Sequence, residues 1–198
     1  EDTGFWNRES RPRLKASILG FYLQFEMAGR AAETWHPDLI IVDGPLVVPS
    51  HLRLLGLRKD LEYMVGSLER LLLKSLDLGI PVIGFVKRSR SMLLSRSMGL
   101  RLRDTALLSQ VLEPGEFTKP IDISEHALKR YGGLISRPEL LKDLYCFYIR
   151  SPGGRVFRVE VSGWRREDVS MLASLLYHLA EPSSGVPVPL MIVDQYSK

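Results

Sequence analysis

Two short apolar runs with one long amphipathic segment between them constrain this chain most. Residues 39–42 (LIIV) are bounded by Pro37-Asp38 and by Asp43-Gly44-Pro45, the pattern of a buried strand that ends in a sharp turn. From 59 to 77, Leu61, Met64, Val65, Leu68, Leu71, Leu72 and Leu76 recur at spacings of three and four, which makes one helical face apolar. Leu78-Gly79 stops that helix, and residues 81–86 form a second buried run. Strand, helix and strand in this order predict a βαβ unit with parallel strands.

The flanks extend this unit. Residues 12–35 predict a helix, with Pro12 in the first turn, Leu14, Ile18, Phe21, Phe25, Ala28 and Ala32 on one stripe, and His36-Pro37 as the stop. A short helix is expected from Asp104, with Asp104 as its cap and Ala106, Leu107 and Val111 on one face. Residues 113–140 are polar with several Gly and Pro and read as a loop-rich insertion. Residues 144–150 and 155–161 flank Ser151-Pro-Gly-Gly154, a hairpin signal. Residues 167–180 predict a helix with Val169, Leu172, Leu176 and Leu179 inward, and residues 185–194 a proline-broken approach to another apolar run. No internal repeat is present. The expected result is one α/β domain over residues 1–198, with a central sheet part parallel and part antiparallel.

Charge is concentrated. The 198 residues carry a net charge of +4, yet residues 87–103 hold Lys87, Arg88, Arg90, Arg96, Arg101 and Arg103 and no acid. The remainder is therefore slightly acidic, and this stretch is either a polyanion-facing surface or a solvated basic face. The single cysteine, Cys146, lies in an apolar run; it excludes a disulfide scaffold and a Cys-rich metal site and reads as a buried thiol. No apolar run approaches the roughly 20 residues of a membrane helix, so no membrane partner and a cytoplasmic location are expected. Phe5, Trp6 and Trp35 fit a core by default or an interface.

Most hydrolytic chemistries lack their residues. There is no Gly-rich phosphate loop, no HExxH and no GxSxG elbow, and His36, His51, His126 and His178 are scattered. Carboxylates remain. Asp43 stands at the carboxyl end of a buried run, where open α/β sheets place their ligands; it either holds a divalent ion or closes a turn. Glu26 borders the apolar stripe of the first helix, as a ligand or as a half-exposed helix residue. Asp194 ends the run MIV and repeats the Asp43 pattern, and Asp104 is a cap or a ligand. Carboxylates that converge at a sheet edge bind Mg²⁺ or Mn²⁺ through oxygen and support phosphodiester hydrolysis.

Taken in order, several segments resemble the NurA nuclease family. FEMAGRAAETWHPDLIIVDGPL is similar to its Glu-bearing helix and the following Asp-Gly strand end. GIPVIGFVKRSRS and LRDTALLSQVLEPGEFTKP are similar to its next strand, Lys-bearing turn and Asp-Thr-Leu-Leu helix. CFYIRSPGGRVFRVEV and GVPVPLMIVDQYSK resemble its later strands and its approach to a last polar site residue. The resemblance runs from about residue 20 to the end. It implies an RNase H-like mixed sheet flanked by helices, and Mn²⁺- or Mg²⁺-dependent 5′–3′ exonuclease and single-strand endonuclease activity. It also implies a homodimer, and docking on a HerA-type hexameric ATPase in DNA end resection and double-strand-break repair.

By that resemblance Glu26 and Asp43 are metal carboxylates, and Asp194 stands where other members carry His or Asp. Tyr148 matches an active-site tyrosine and Lys87 a phosphate contact, while Arg88, Arg90 and Arg96 extend the DNA-binding stretch. Two departures accompany it. The family's first catalytic Asp precedes its Glu helix, but only 25 residues precede Glu26, and Asp2-Thr3-Gly4 follows no apolar strand, so the first strand is expected to be missing. Pro45 replaces the usual Ser and removes a hydroxyl. These departures keep open a catalytically degenerate DNA-binding or ATPase-regulating partner. A nucleotide-binding domain is disfavoured by the absence of a phosphate loop.

Overall fold

The computed structural model describes residues 6–48 and 57–196, and side chains from 12 to 195 within them; Asp2-Thr3-Gly4, Phe5 and the Trp6 side chain lie outside. The predicted βαβ unit is present. β1 (Ile40–Asp43), α2 (Arg58–Leu78) and β2 (Val82–Val86) follow α1 (Trp6–Trp35), and β1 pairs parallel with β2 in the register Asp43 to Phe85. Gly79 takes the left-handed conformation at φ 67° that ends α2. Then come α3 (Leu93–Ser97), α4 (Asp104–Leu108), β3 (Ile121–Asp122), α5 (Ser124–Tyr131), β4 (Tyr145–Arg150), β5 (Val156–Ser162), α6 (Val169–Leu179) and α7 (Val188–Tyr196).

The sheet runs β1-β2-β5-β4-β3, and every pair except β1–β2 is antiparallel. This is the mixed α/β architecture expected, with helices on both faces. Strand alternation sorts side chains between them. Ile40, Val42, Val82 and Cys146 meet α1, α2 and α5, whereas Ile83, Phe85, Phe147, Val159 and Val161 meet α6 and α7. Ion pairs Lys15–Asp60, Glu26–Arg70 and Glu33–Lys74 advance together along both helices, so α1 and α2 run parallel.

Several expectations need correction. α1 begins at Trp6, so Pro12 lies inside the helix rather than in its first turn, because the polar residues before it also take up the helix. Trp35 is 76% exposed and belongs to no core, since it is the last helical residue before the His36-Pro37 stop. Leu76 is also exposed; Ser75 takes the inward position there and donates its hydroxyl to the Ile80 carbonyl. On the short α4 the buried residues are Asp104 and Leu108, while Ala106, and Val111 beyond the helix, face solvent. Residues 113–140 hold more order than a loop-rich insertion, for β3 joins the sheet and α5 seals its first face. The closing run is the helix α7 and not a strand; Pro189 sits in its first turn, where a missing N–H is harmless.

Gly84 marks a close approach. A Cβ there would lie 2.6 Å from the Gly44 carbonyl oxygen and 2.8 Å from the Leu46 nitrogen, both backbone atoms. Gly84→Ala is expected to destabilise the fold by about 1–3 kcal/mol, read as a lower urea midpoint at unchanged slope. Cys146 is fully buried and burial pushes its thiol up to about 12. It is expected to resist a thiol reagent at mildly alkaline pH in the native protein and to react once guanidinium unfolds the chain.

Candidate functional site

The parallel pair ends in a turn that throws two acids and a lysine together. Asp43 is the last residue of β1, and Gly44 follows at φ 121°, a conformation that favours glycine. The Gly44 N–H donates to the Phe85 carbonyl at 3.0 Å, which fixes the turn against β2. Alternation from Ile41 turns Asp43 toward the α6–α7 face. Lys87 follows β2, and its Nζ donates to Asp43 Oδ2 at 2.9 Å and to Asp194 Oδ2 of α7 at 2.7 Å. Burial works against the ammonium, but the bonds to Asp194 and Asp43 outweigh it and raise the Lys87 pKa above 10.5. Lys87 is thus a fixed cation that joins two carboxylates from distant parts of the sequence. Asp194 reaches this place from a helix and not, as expected, from a strand end.

Two other sequence-selected residues stand apart. Glu26 is half-buried on α1 and accepts from Arg70 Nε of α2 at 3.1 Å, on the helical layer of the other face. Tyr148 is fully buried in β4 on the same side of the sheet as Cys146, and its hydroxyl donates to Asp104 Oδ2 at 2.7 Å. Among the described residues, no group of three or more His, Cys, Asp or Glu side chains is close enough to hold a metal ion. Oxygen donors fit a divalent cation in kind, and the two carboxylates on Lys87 are the pair that could hold one.

Asp104 is neither a cap for its own helix nor a free ligand. It is fully buried and accepts from the Leu93 N–H at 2.8 Å, the Ser95 N–H at 2.9 Å, the Ser91 hydroxyl at 2.8 Å and Tyr148. Burial works against its charge, but donation by Ser95, Tyr148, Ser91 and Leu93 prevails and holds its pKa below the ordinary 3.8. Its own N–H donates to the Ser91 carbonyl at 2.9 Å. The basic stretch is therefore closed on itself and anchored to the sheet through Tyr148. Arg88, Arg90 and Arg96 are exposed on it.

Sequence reasoning missed the buried pair Arg158–Glu160 of β5, 2.9 Å apart. Glu160 Oε2 also accepts the Val47 N–H at 2.8 Å, and the Tyr131 hydroxyl bonds to the Leu46 carbonyl and the Val48 N–H, so the segment after Asp43 is tied to the sheet. The alternation VFRVEV carries the signal, but it suggests a solvated polar face where helices in fact cover the strand. No described helix is long and apolar enough to cross a membrane.

Among protein families, the family model described as the NurA domain matches residues 7–198. Neither the curated proteins nor the solved structures contain a match.

Proposed function

The chain belongs to the NurA family, and from that premise we propose that it is a metal-dependent DNA nuclease with an RNase H-like core. The observation that carries this reading is the Asp43–Lys87–Asp194 cluster at the carboxyl end of the parallel pair, followed in the chain after Lys87 by an arginine stretch without acids. Asp43 and Asp194 would hold the ion, Mn²⁺ or Mg²⁺, with Glu26 the further candidate from α1. When bound, such an ion polarises the phosphodiester and makes water a better nucleophile. Lys87 holds the two carboxylates in place and presents its charge to a phosphate oxygen. Tyr148 acts at a distance as a positioning residue, because its hydroxyl fixes Asp104 and hence the basic stretch.

Family membership also supports 5′–3′ exonuclease and single-strand endonuclease action, a homodimer, and work with a HerA-type ATPase in end resection and break repair. A metal-dependent assay on end-labelled single strands and duplex ends, with and without such an ATPase, tests this reading. A degenerate binding partner is the second reading. It is favoured by one observation: the carboxylate of Glu26 is engaged by Arg70 rather than joined to the Asp43 cluster.

Single-strand binding is expected to be strongly salt-dependent in either case. Arg88→Ala, Arg90→Ala and Arg96→Ala should each weaken it several-fold and flatten the log–log salt slope by about 0.7 for each phosphate no longer neutralised. A filter-binding series over ionic strength in the absence of divalent metal measures this; an unchanged slope removes that arginine from the DNA track.

A further inference from the structure

The face of the sheet opposite Asp43 carries a second concavity. A cavity of about 680 Å³ opens between α1, the segment after β1, residues 88–96, α5 and the middle of β5. Its walls hold Arg88, Arg90, Arg96, Arg130 and Arg158 against one carboxylate, Glu160. That carboxylate is already engaged by Arg158 and the Val47 N–H. Arg158 is 7% exposed, and its Nε has no hydrogen-bond partner. A buried guanidinium N–H without an acceptor costs free energy, so its setting calls for an oxygen. Arg88, Arg90 and Arg96 form no ion pair among the described residues. His126 also lines the cavity, and burial, then the charges of Arg130, Arg158 and Lys129, lower its pKa below 6.5.

The rest of the wall is apolar, with Phe21, Val47 and Leu93 among its members. The volume lies within the range of about 300–1,000 Å³ typical of small-molecule sites and far exceeds what a bare phosphate fills. Guanidinium groups match phosphate oxygens in charge and geometry, and an aromatic face accepts a base by stacking. We propose that this pocket binds a nucleoside 5′-phosphate, with the phosphate on Arg158 and the arginines of residues 88–96 and the base against the apolar wall around Phe21. The ligand is a free nucleotide or the 5′-terminal nucleotide of a strand, since both present the same chemistry. The pocket lies across the sheet from the Asp43–Asp194 pair, and its occupation does not depend on cleavage.

The test uses the full chain in chelator, so that no hydrolysis occurs, with deoxyadenosine 5′-monophosphate, deoxyadenosine and inorganic phosphate as probes. Calorimetry and the ring-proton resonances of His126 are the readouts. The monophosphate is expected to saturate and to raise the His126 pKa as its anion offsets the arginines. Deoxyadenosine should bind at least about tenfold more weakly, because it lacks the charged partner. Arg88→Ala and Arg96→Ala, on the exposed rim, should each weaken monophosphate binding several-fold. The paired change Arg158→Met with Glu160→Gln should abolish it without stranding one buried charge. A 5′-phosphorylated strand that binds more tightly than its 5′-hydroxyl twin identifies the strand end as the source; equal binding of the two identifies the free nucleotide. Deoxyadenosine binding equal to that of the monophosphate, an unmoved His126 pKa at saturation, or unchanged binding in both rim variants overturns the proposal.

Discussion

Asp43→Asn is expected to abolish metal-dependent cleavage of single-stranded DNA, lowering the rate by at least about 10²-fold, or ~2.7 kcal/mol of barrier. Asparagine keeps the shape of the side chain and the Gly44 turn but removes the charge. Lys87 retains Asp194, so the fold should stay within about 1 kcal/mol of the parent, as is usual for a partly exposed ion pair. Activity and stability therefore separate in this variant. Cleavage from an end label and a urea unfolding curve on the same preparation measure both. Undiminished cleavage would remove Asp43 from the centre, and loss of cleavage with loss of folding would leave only a structural role. Asp194→Asn should follow in the same direction, since both carboxylates meet one ammonium.

Asp104→Ala is expected to destabilise the fold by about 3–5 kcal/mol, the usual cost of breaking a buried charge network. The change leaves the Leu93 and Ser95 N–H groups and the Tyr148 hydroxyl without their acceptor inside the protein. Asp104→Asn keeps one carbonyl oxygen and should cost roughly half as much. The same residue sets a pH dependence. Its pKa is lowered in the fold, so its contribution is complete above the ordinary 3.8 and disappears as pH falls through the lower native value. Wild type should lose more stability than Asp104→Asn as pH falls below 3.8. Because the basic stretch hangs from this carboxylate, Asp104→Asn should also weaken DNA binding while Arg88, Arg90 and Arg96 remain in place. Normal acid sensitivity and normal affinity in that variant would deny Asp104 its anchoring role.

What is legible in the residues alone depends on how local the cause is. β1, α2, β2 and the β4–β5 hairpin carry their reasons within a few positions: alternation, a stripe at helical spacing, Gly79, Ser151-Pro-Gly-Gly154. The run MIV before Asp194 is ambiguous because three apolar residues fit a strand or a helix equally, and α7 is decided by packing of Leu190 on the sheet. The meeting of Asp43 with Asp194 through Lys87 spans most of the chain, and no spacing rule announces it. Tyr148 depends on parity. One step along β4 separates its face from that of Phe147, and pairing register rather than composition sets that step. Asp104 fits a helix cap by local pattern, but its partners Tyr148 and Ser91 are neighbours only after β4 forms.

Residues 91 and 104 are held together by the Asp104 N–H on the Ser91 carbonyl and by the Ser91 hydroxyl on Asp104. The same carboxylate also takes the Leu93 and Ser95 N–H groups, so the backbone of the span is pinned while the side chains of Arg96, Arg101 and Arg103 stay in solvent. Polyanion affinity can therefore be adjusted by exchange at Arg96, Arg101 and Arg103, independently of the Asp43 turn.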